Sequence, residues 1–314
     1  MTPHGAKTRA SVVSGPVVVL VAKRTSWSQR VERDQDPHVL DLLRRRDPTV
    51  ARMEAAHQAH EACLRAVEAA LSAAGASWTR VTSGQSFAEP GVDLVLSVGG
   101  DGTLLAASHQ VDRAPILGVN SAPGMSVGFF CGSDAASIGT LLPRALGGDL
   151  AGVHLHRMEV SRNDVTISRR VLNDALLCHS CPAATSRYIL ELGDLTEEQR
   201  SSGFWIGPAA GSTAAQRSAG GDVLPLDSDE LQLVVREPYR PRDVTLRLLR
   251  RLIAPGETLR VRSKMHDGVL FLDGPAERSP VVLGDVLTFR GSSEPLRLLG
   301  LSADRQRPLA SALP

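Results

Sequence analysis

The chain has 314 residues, 42% of them apolar and 22% charged, with a formal net charge of +1, a composition of a water-exposed globular protein long enough for two domains. The near-zero charge argues against a nucleic-acid or acidic-membrane surface, and no apolar run reaches the ~18 to 20 residues of a membrane span. Four cysteines are too few for a disulfide scaffold in a chain of this length, which fits a cytoplasmic protein.

Val17 to Ala22 reads as a first buried strand, because it is continuously apolar rather than alternating. No small-residue cleavage site follows it, so the N-terminus is not read as a signal peptide. The polar stretch 23–47 has no legible fold. Pro48, after Asp47, suits the first turn of a helix. Val50, Met53, His57, Cys63, Leu64, Val67 and Leu71 then recur at helical spacing up to Gly75. Trp78 to Val81, Asp93 to Val98 and Pro115 to Val119 read as strands, with a helix after Thr103. Strands alternating with helices predict an open, mostly parallel α/β sheet.

The texture changes after Gly147-Gly148. Short apolar runs follow closely, among them Val153 to Leu155, Val171 to Leu177, Tyr188 to Leu192, Phe204 to Ile206, Leu231 to Val235, Leu259 to Val261, Val269 to Leu272, Val286 to Phe289 and Leu296 to Leu299. Gly, Pro, Asp or Ser bound many of them, as in all-β domains. The arginines of "LRLLRRL" read as the edge of a helix. The expected organisation is an α/β N-terminal domain (1–148) followed by a β-rich, β-sandwich-like domain (149–295). The segment 296–314 is expected to return to the first domain.

One stretch carries chemistry. In "LVLSVGGDGTLLAAS" a strand runs straight into Gly99-Gly100-Asp101-Gly102-Thr103 and then into a helix. Three glycines let the backbone approach a ligand closely, and amides between a strand end and a helix start suit phosphate oxygens. In open α/β sheets that is where ligands bind. A carboxylate among phosphate-binding amides is explained if Asp101 faces a hydroxyl awaiting phosphorylation or works beside Mg²⁺; otherwise Asp101 simply caps the next helix. No GxxxxGK[ST] or GxGxxG is present, and none of Lys7, Lys23 and Lys264 lies in a Gly-rich loop. Phosphate charge would have to be met by amides, arginines and metal.

With "PILGVNSAPGMSVGFF", "VLNDALL" and "GPAAGSTAAQRSAGGDVLPL" following in order, the chain resembles the NAD kinases, most closely their mitochondrial-type branch. The likeness covers most of the chain from about residue 90, and the four pieces together are more specific than GGDGT, which lipid kinases share. The resemblance implies ATP-dependent phosphorylation of the adenosine ribose 2′-hydroxyl of NAD, with Asp101 as the base. Gly102 would lie against the same nucleotide, and Gly99, Gly100 and Thr103 would shape the phosphate turn. Asn173, Asp174, Arg187, Thr213, Ala214 and Ser218 would hold the NAD. Mg²⁺ would come with ATP, with no dedicated metal ligands and no tightly bound cofactor, and the protein would be a homodimer or homotetramer. ATP or polyphosphate as donor, and NAD or NADH as acceptor, stay open. Two other readings also stand: a lipid or sugar kinase of the wider GGDGT group, and a non-catalytic dinucleotide-binding regulator.

The pattern is not perfect. The family's R-x-D-G is here Arg200-Ser201-Ser202-Gly203, and the tyrosine of GSTAY is Ala215, so the nicotinamide side departs from the family pattern. Cys178-His179-Ser180-Cys181 has CxxC spacing without the second pair a zinc site needs. His57 and His60 read as a half-exposed helix face, and His154 and His156 as surface or cleft residues.

Overall fold

Val17–Ala22 (β1) is buried along nearly its whole length, and its two faces go to different partners. In the computed structural model, which describes residues 15–304 except 241, 243 and 244, Val18, Leu20 and Ala22 pack with Cys63, Leu64, Val67 and Leu71 of one helix. Val19 and Val21 join Leu104 and Leu105 of another on the opposite face. A strand covered on both faces has no polar side to show, hence its unbroken apolar run. The expectations for residues 1–14 and 305–314 lie outside the described residues.

β1 pairs in parallel with β2 (Ser77–Thr82) and β3 (Leu94–Gly99), and β3 with β4 (Ile116–Asn120). β5 (Cys131–Asp134) adds to β4 through a bulge. The connecting helices are α1 (Pro37–Arg44), α2 (Met53–Ala73), α3 (Asp101–Ser108) and α4 (Ile138–Leu146). α1 arises in the polar stretch because Asp36 accepts from the amides of His38 and Val39 and Pro37 occupies the first turn. Pro48 begins a separate short turn, Pro48–Val50, capped by Asp47, rather than the long helix itself. β6 (Gly152–Leu155) closes the far side.

Twelve further strands form two antiparallel six-stranded sheets. In chain order they are β7 (Met158–Arg162), β8 (Val165–Val171), β9 (Ala175–His179), β10 (Ser186–Leu192), β11 (Leu195–Ser201) and β12 (Phe204–Pro208). Then come, after the one-turn helix α5 (Ala215–Ser218), β13 (Leu231–Val235), β14 (Arg250–Ile253), β15 (Leu259–Ser263), β16 (Gly268–Leu272), β17 (Glu277–Val281) and β18 (Val286–Gly291). One sheet has the order β11-β10-β15-β18-β7-β8, the other β14-β13-β12-β9-β16-β17. Their inner faces share a single core, with Phe204 of the second sheet edge-on to Tyr188 and Phe289 of the first at 5.1 and 6.0 Å. This is a sandwich. β19 (Leu296–Leu299) then leaves it and inserts between β4 and β6, completing the first sheet as β2-β1-β3-β4-β19-β6.

Two expectations are corrected. Val171 to Leu177 is not one strand: β8 ends at Val171 and β9 starts at Ala175, because the Asp273 carboxylate accepts the amides of Leu172, Asn173 and Asp174 in between. "LRLLRRL" does not edge a helix; its end enters β14, registered against Leu231–Val234 of β13. α4 tolerates Pro143 inside the helix, and the apolar face of Ile138, Leu142 and Ala145 anchors it in the core shared with α2.

Candidate active site

The strand–turn–helix geometry expected at GGDGT is present. β3 is buried throughout, Gly100 is extended at the N-cap of α3, and Asp101 is the first helical residue. A Cβ at Gly99 would run into the Thr103 side chain, and one at Gly100 into Ser126. Both positions therefore exclude larger residues by space rather than by backbone angle. Nothing lies within 4 Å of a Cβ built on Gly102, so that side of the turn is open.

Asp101 does not cap α3. Its Oδ1 accepts the amide of Phe130 at 2.8 Å, from the segment that leads into β5. The carboxylate is thus aimed away from its own helix. It borders a cavity of about 580 Å³ lined by Lys23, Arg24, Gln29, Gly100 to Thr103 and Ser126. Lys23 stands just past β1, its amide tied to the Val98 carbonyl of β3 at 2.9 Å. The sequence reading gave Lys23 no role; its place at the carboxyl end of a parallel strand was the available signal.

Asn120, the asparagine of "LGVN", folds the loop over this cavity. Its Oδ1 accepts from Ala122 and its Nδ2 donates to the Ser126 carbonyl, while Gly128 at φ 58° packs on the same side chain. At the other end of α3, the fully buried Arg157 donates to the carbonyls of Ser108 and Val111. A cation at a helix C-terminus is favourable, and burial lowers this guanidinium to about 10, so it remains charged.

Asn173 and Asp174 form the second centre. Asp273 at the end of β16 receives three backbone amides from 172–174, at 2.8, 2.7 and 3.0 Å, and its Oδ2 also meets His109 Nε2 at 2.8 Å. Since His109 caps the C-terminus of α3, this one carboxylate ties the GGDGT helix to the Asn173 turn. Gly211 of the GST segment lies on the Asn173 carbonyl so closely that a Cβ there would overlap it. Leu172 and Ala210 sit in the same core as Leu104, Leu105 and Phe130. The structure therefore brings together the GGDGT helix, Asn173-Asp174 and the segment holding Thr213 and Ala214. Ser218 lies exposed one turn farther on, its hydroxyl bonded back to Ala214. Arg187 is exposed on β10, opposite Arg200, and shares no hydrogen bond with the Asn173 turn.

The Asp174 carboxyl is raised to about 7, by burial first and by the neighbouring Asp273 second, while the Asn173 amide at 2.6 Å pulls the other way. Its folded value lies above its ordinary 3.8. The stability it contributes is complete below that value and is lost as pH rises through about 7. Urea unfolding of wild type and Asp174→Asn across pH 4 to 8 should show the wild type losing ground relative to the variant over that window; parallel profiles would refute the assignment.

His60 is buried at 2% exposure with both ring nitrogens unpartnered, and desolvation lowers it to about 4; His57, its side chain 15% exposed, meets Thr25 Oγ1 at 3.0 Å, so neither histidine presents the expected half-exposed face. Among the described residues no three His, Cys, Asp or Glu side chains group as a metal site. His179 Nδ1 accepts the Cys181 amide, and both thiols of that CxxC are free. No helix among the described residues is long and apolar enough to cross a membrane.

The model of the ATP-NAD kinase N-terminal domain matches residues 39–150. A probable NADH kinase of Oryza sativa subsp. japonica is 37% identical over 230 residues, covering 66% of this chain and 71% of that protein. An NADH kinase of Arabidopsis thaliana is 32% identical over 283 residues, covering 81% and 89%. Among solved structures, an NAD kinase from Archaeoglobus fulgidus in complex with ATP superposes with a TM-score of 0.63 at 19% identity, covering 90% of this chain and 93% of the other. Yeast NADH kinase complexed with NADH gives 0.69 at 15% identity, covering 93% and 86%. At those identities the structures speak for the fold.

Proposed function

The chain belongs to the NAD kinase family, ATP-dependent transferases that phosphorylate NAD, and on that premise we propose how its own residues divide the work. Asp101 takes the proton of the adenosine ribose 2′-hydroxyl as that oxygen bonds to the γ-phosphorus of ATP. The bond from γ-phosphorus to the bridging oxygen breaks, and ADP and NADP leave. The observation that carries this reading is the orientation of Asp101: held by the Phe130 amide, off its own helix, on a cavity that also holds Lys23 and Arg24.

Asn173 and Asp174 hold the adenosine of NAD, with Gly102 below it and Thr213, Ala214 and Ser218 along its far side. The packing of Gly211 on Asn173 supports treating these as one surface. Arg187 enters through the family likeness alone, since its place on β10 gives it no contact with that surface. Gly99, Gly100 and Thr103 set the width of the phosphate turn. Ser202 and Ala215 offer no charge for a nicotinamide ring, consistent with an acceptor in either redox state, NAD or NADH.

Mg²⁺ fits the donor set as an ion that arrives on the triphosphate. One carboxylate, Asp101, lines the cavity, and Mg²⁺ is usually held by one or two carboxylates, phosphates and water rather than by an all-protein cage. When bound it neutralises the charge shared by the β- and γ-phosphates. We also propose a cytoplasmic homodimer or homotetramer. The lipid- or sugar-kinase and regulator readings are not favoured by the relatives.

The test is NADP formation from ATP and NAD with Mg²⁺. Turnover should stop with excess EDTA and return with added Mg²⁺; turnover indifferent to chelation would contradict the metal's place.

A further inference from the structure

β8 ends one sheet of the sandwich and β17 ends the other. Between these two edge strands opens a cavity of about 470 Å³, which His109, just past α3, and Glu294, ahead of β19, also border. Its volume falls in the ~300 to 1,000 Å³ range of small-molecule sites. None of the residues assigned above to ATP or NAD lines it.

Charged side chains on an edge strand keep it from pairing with another chain. That accounts for charge on β8 and β17, but not for its convergence on one cavity. Arg169, Arg170 and Arg278 all border it. Two of the three are held in place, Arg169 by Glu159 at 3.4 Å and Arg170 by Glu294 at 2.6 Å. Arg170 also donates to the His109 carbonyl at 3.3 Å. Among the described residues the side chains of Arg278 and its neighbour Glu277 make no ion pair or hydrogen bond, and neither do the hydroxyls of Thr166 and Ser279, which share the lining. Leu272, 5% exposed, and Ile167, packed against the sandwich core, add apolar surface.

This mixture narrows the chemistry of a ligand. A guanidinium recognises phosphate through paired N–H donors, whereas a carboxylate only accepts and therefore selects hydroxyls. A bare phosphate would meet repulsion from Glu277 and Glu294. A neutral sugar would leave the Arg278 guanidinium without an anion. A molecule with one phosphate and several hydroxyls on a short carbon skeleton satisfies both signs of charge and covers Leu272 and Ile167.

We infer that this cavity is an effector site for a sugar phosphate, coupled to the Asn173 turn. Arg278 and Arg169 take the phosphate, and Glu277 and Glu294 accept the sugar hydroxyls. His109 carries the occupancy inward. Its Nε2 meets Asp273 Oδ2, which also accepts the Leu172 amide, while Asp273 Oδ1 accepts those of Asn173 and Asp174. A ligand that fixes His109 and Arg170 against the end of α3 thereby steadies the turn assigned to NAD. The coupling rests on that assignment; the binding does not.

Ribose 5-phosphate is the probe, titrated by calorimetry into protein whose Asp101 cavity is filled with a non-hydrolysable ATP analogue and Mg²⁺. It should bind with a Kd of about 1 mM or tighter, and ribose or inorganic phosphate at least about tenfold more weakly. Arg278→Glu changes an exposed edge-strand side chain that has no partner to lose, and should weaken the probe by about tenfold or more. In turnover assays, saturating ribose 5-phosphate should lower the KM for NAD about fivefold in wild type and leave that of Arg278→Glu unchanged. Without the effector the two proteins should agree in KM within about twofold. No binding to wild type, equal binding to Arg278→Glu, or inorganic phosphate binding as tightly as the probe would overturn the site. Binding with no change in the KM for NAD would overturn the coupling. A failure of the kinase reading looks different: no NADP is made, and the calorimetry still decides the site.

Discussion

Asp101→Asn should leave a folded protein that still binds NAD but turns over ~10² to 10⁴-fold more slowly, the usual weight of a general base. The side chain keeps its size and an oxygen for the Phe130 amide, so the segment leading into β5 stays in place. What disappears is the proton acceptor. A cap predicts otherwise, since Asn caps a helix about as well as Asp. The geometry already disfavours the cap, because Gly100 holds that position and Asp101 bonds across to another segment. Nucleotide affinity should hold or tighten, a negative charge having left the neighbourhood of the phosphates. Stopped turnover with intact NAD binding is the expected pair of results; near-normal kcat would remove Asp101 from the chemistry.

Asp273→Ala should have the largest effect on the acceptor side. One carboxylate serves three backbone amides and His109, so its removal strands several donors at once. Hydrogen bonds to charged groups contribute ~1.5 to 3 kcal/mol, and a buried donor left unpaired costs a similar amount. A loss of about 3 kcal/mol of unfolding free energy is expected on that basis, allowing for water reaching part of the turn. Because the turn that loses its shape is the one carrying Asn173 and Asp174, the KM for NAD should rise more than tenfold, about 1.4 kcal/mol or more. Asp273→Asn, which retains one acceptor, should fall between. Wild-type stability and KM in Asp273→Ala would mean that the turn is held by something else.

How much of this could be read from the chain depended on how local the physics is. The GGDGT turn was legible because a strand, a glycine-rich turn and a helix start are adjacent in sequence and each has a residue signature. The parallel strands were legible because burial on both faces leaves an unbroken apolar run, as in β1 and β3. α4 was hidden by Pro143 and β5 by its Cys131-Gly132-Ser133-Asp134 composition. β11 was hidden by its polar "LTEEQRS", whose Glu197 is buried because it accepts the amides of Arg247 and Leu248.

The roles of Asp273 and Arg157 lie beyond sequence patterning of this kind. Asp273 acts on residues about a hundred positions away, and only the Leu-Asp-Gly-Pro turn, with Asp273 at φ 49°, marks it as unusual. Arg157 meets Ser108 and Val111 across 49 and 46 positions. An arginine buried against helix carbonyls looks in sequence like any surface arginine. The same holds for Lys23, whose significance comes from which strand it follows and where that strand lies in the sheet.

The most direct measurement of the central claim is an acceptor panel. The purified protein is given ATP and Mg²⁺ with NAD, NADH, diacylglycerol or a simple sugar, and the phosphorylated product is identified. Phosphate on the 2′-hydroxyl of the dinucleotide, read by a dehydrogenase that accepts only NADP and lost in Asp101→Asn, is the predicted result. Phosphate transferred to the lipid or sugar, with the dinucleotide returned unchanged, would contradict it.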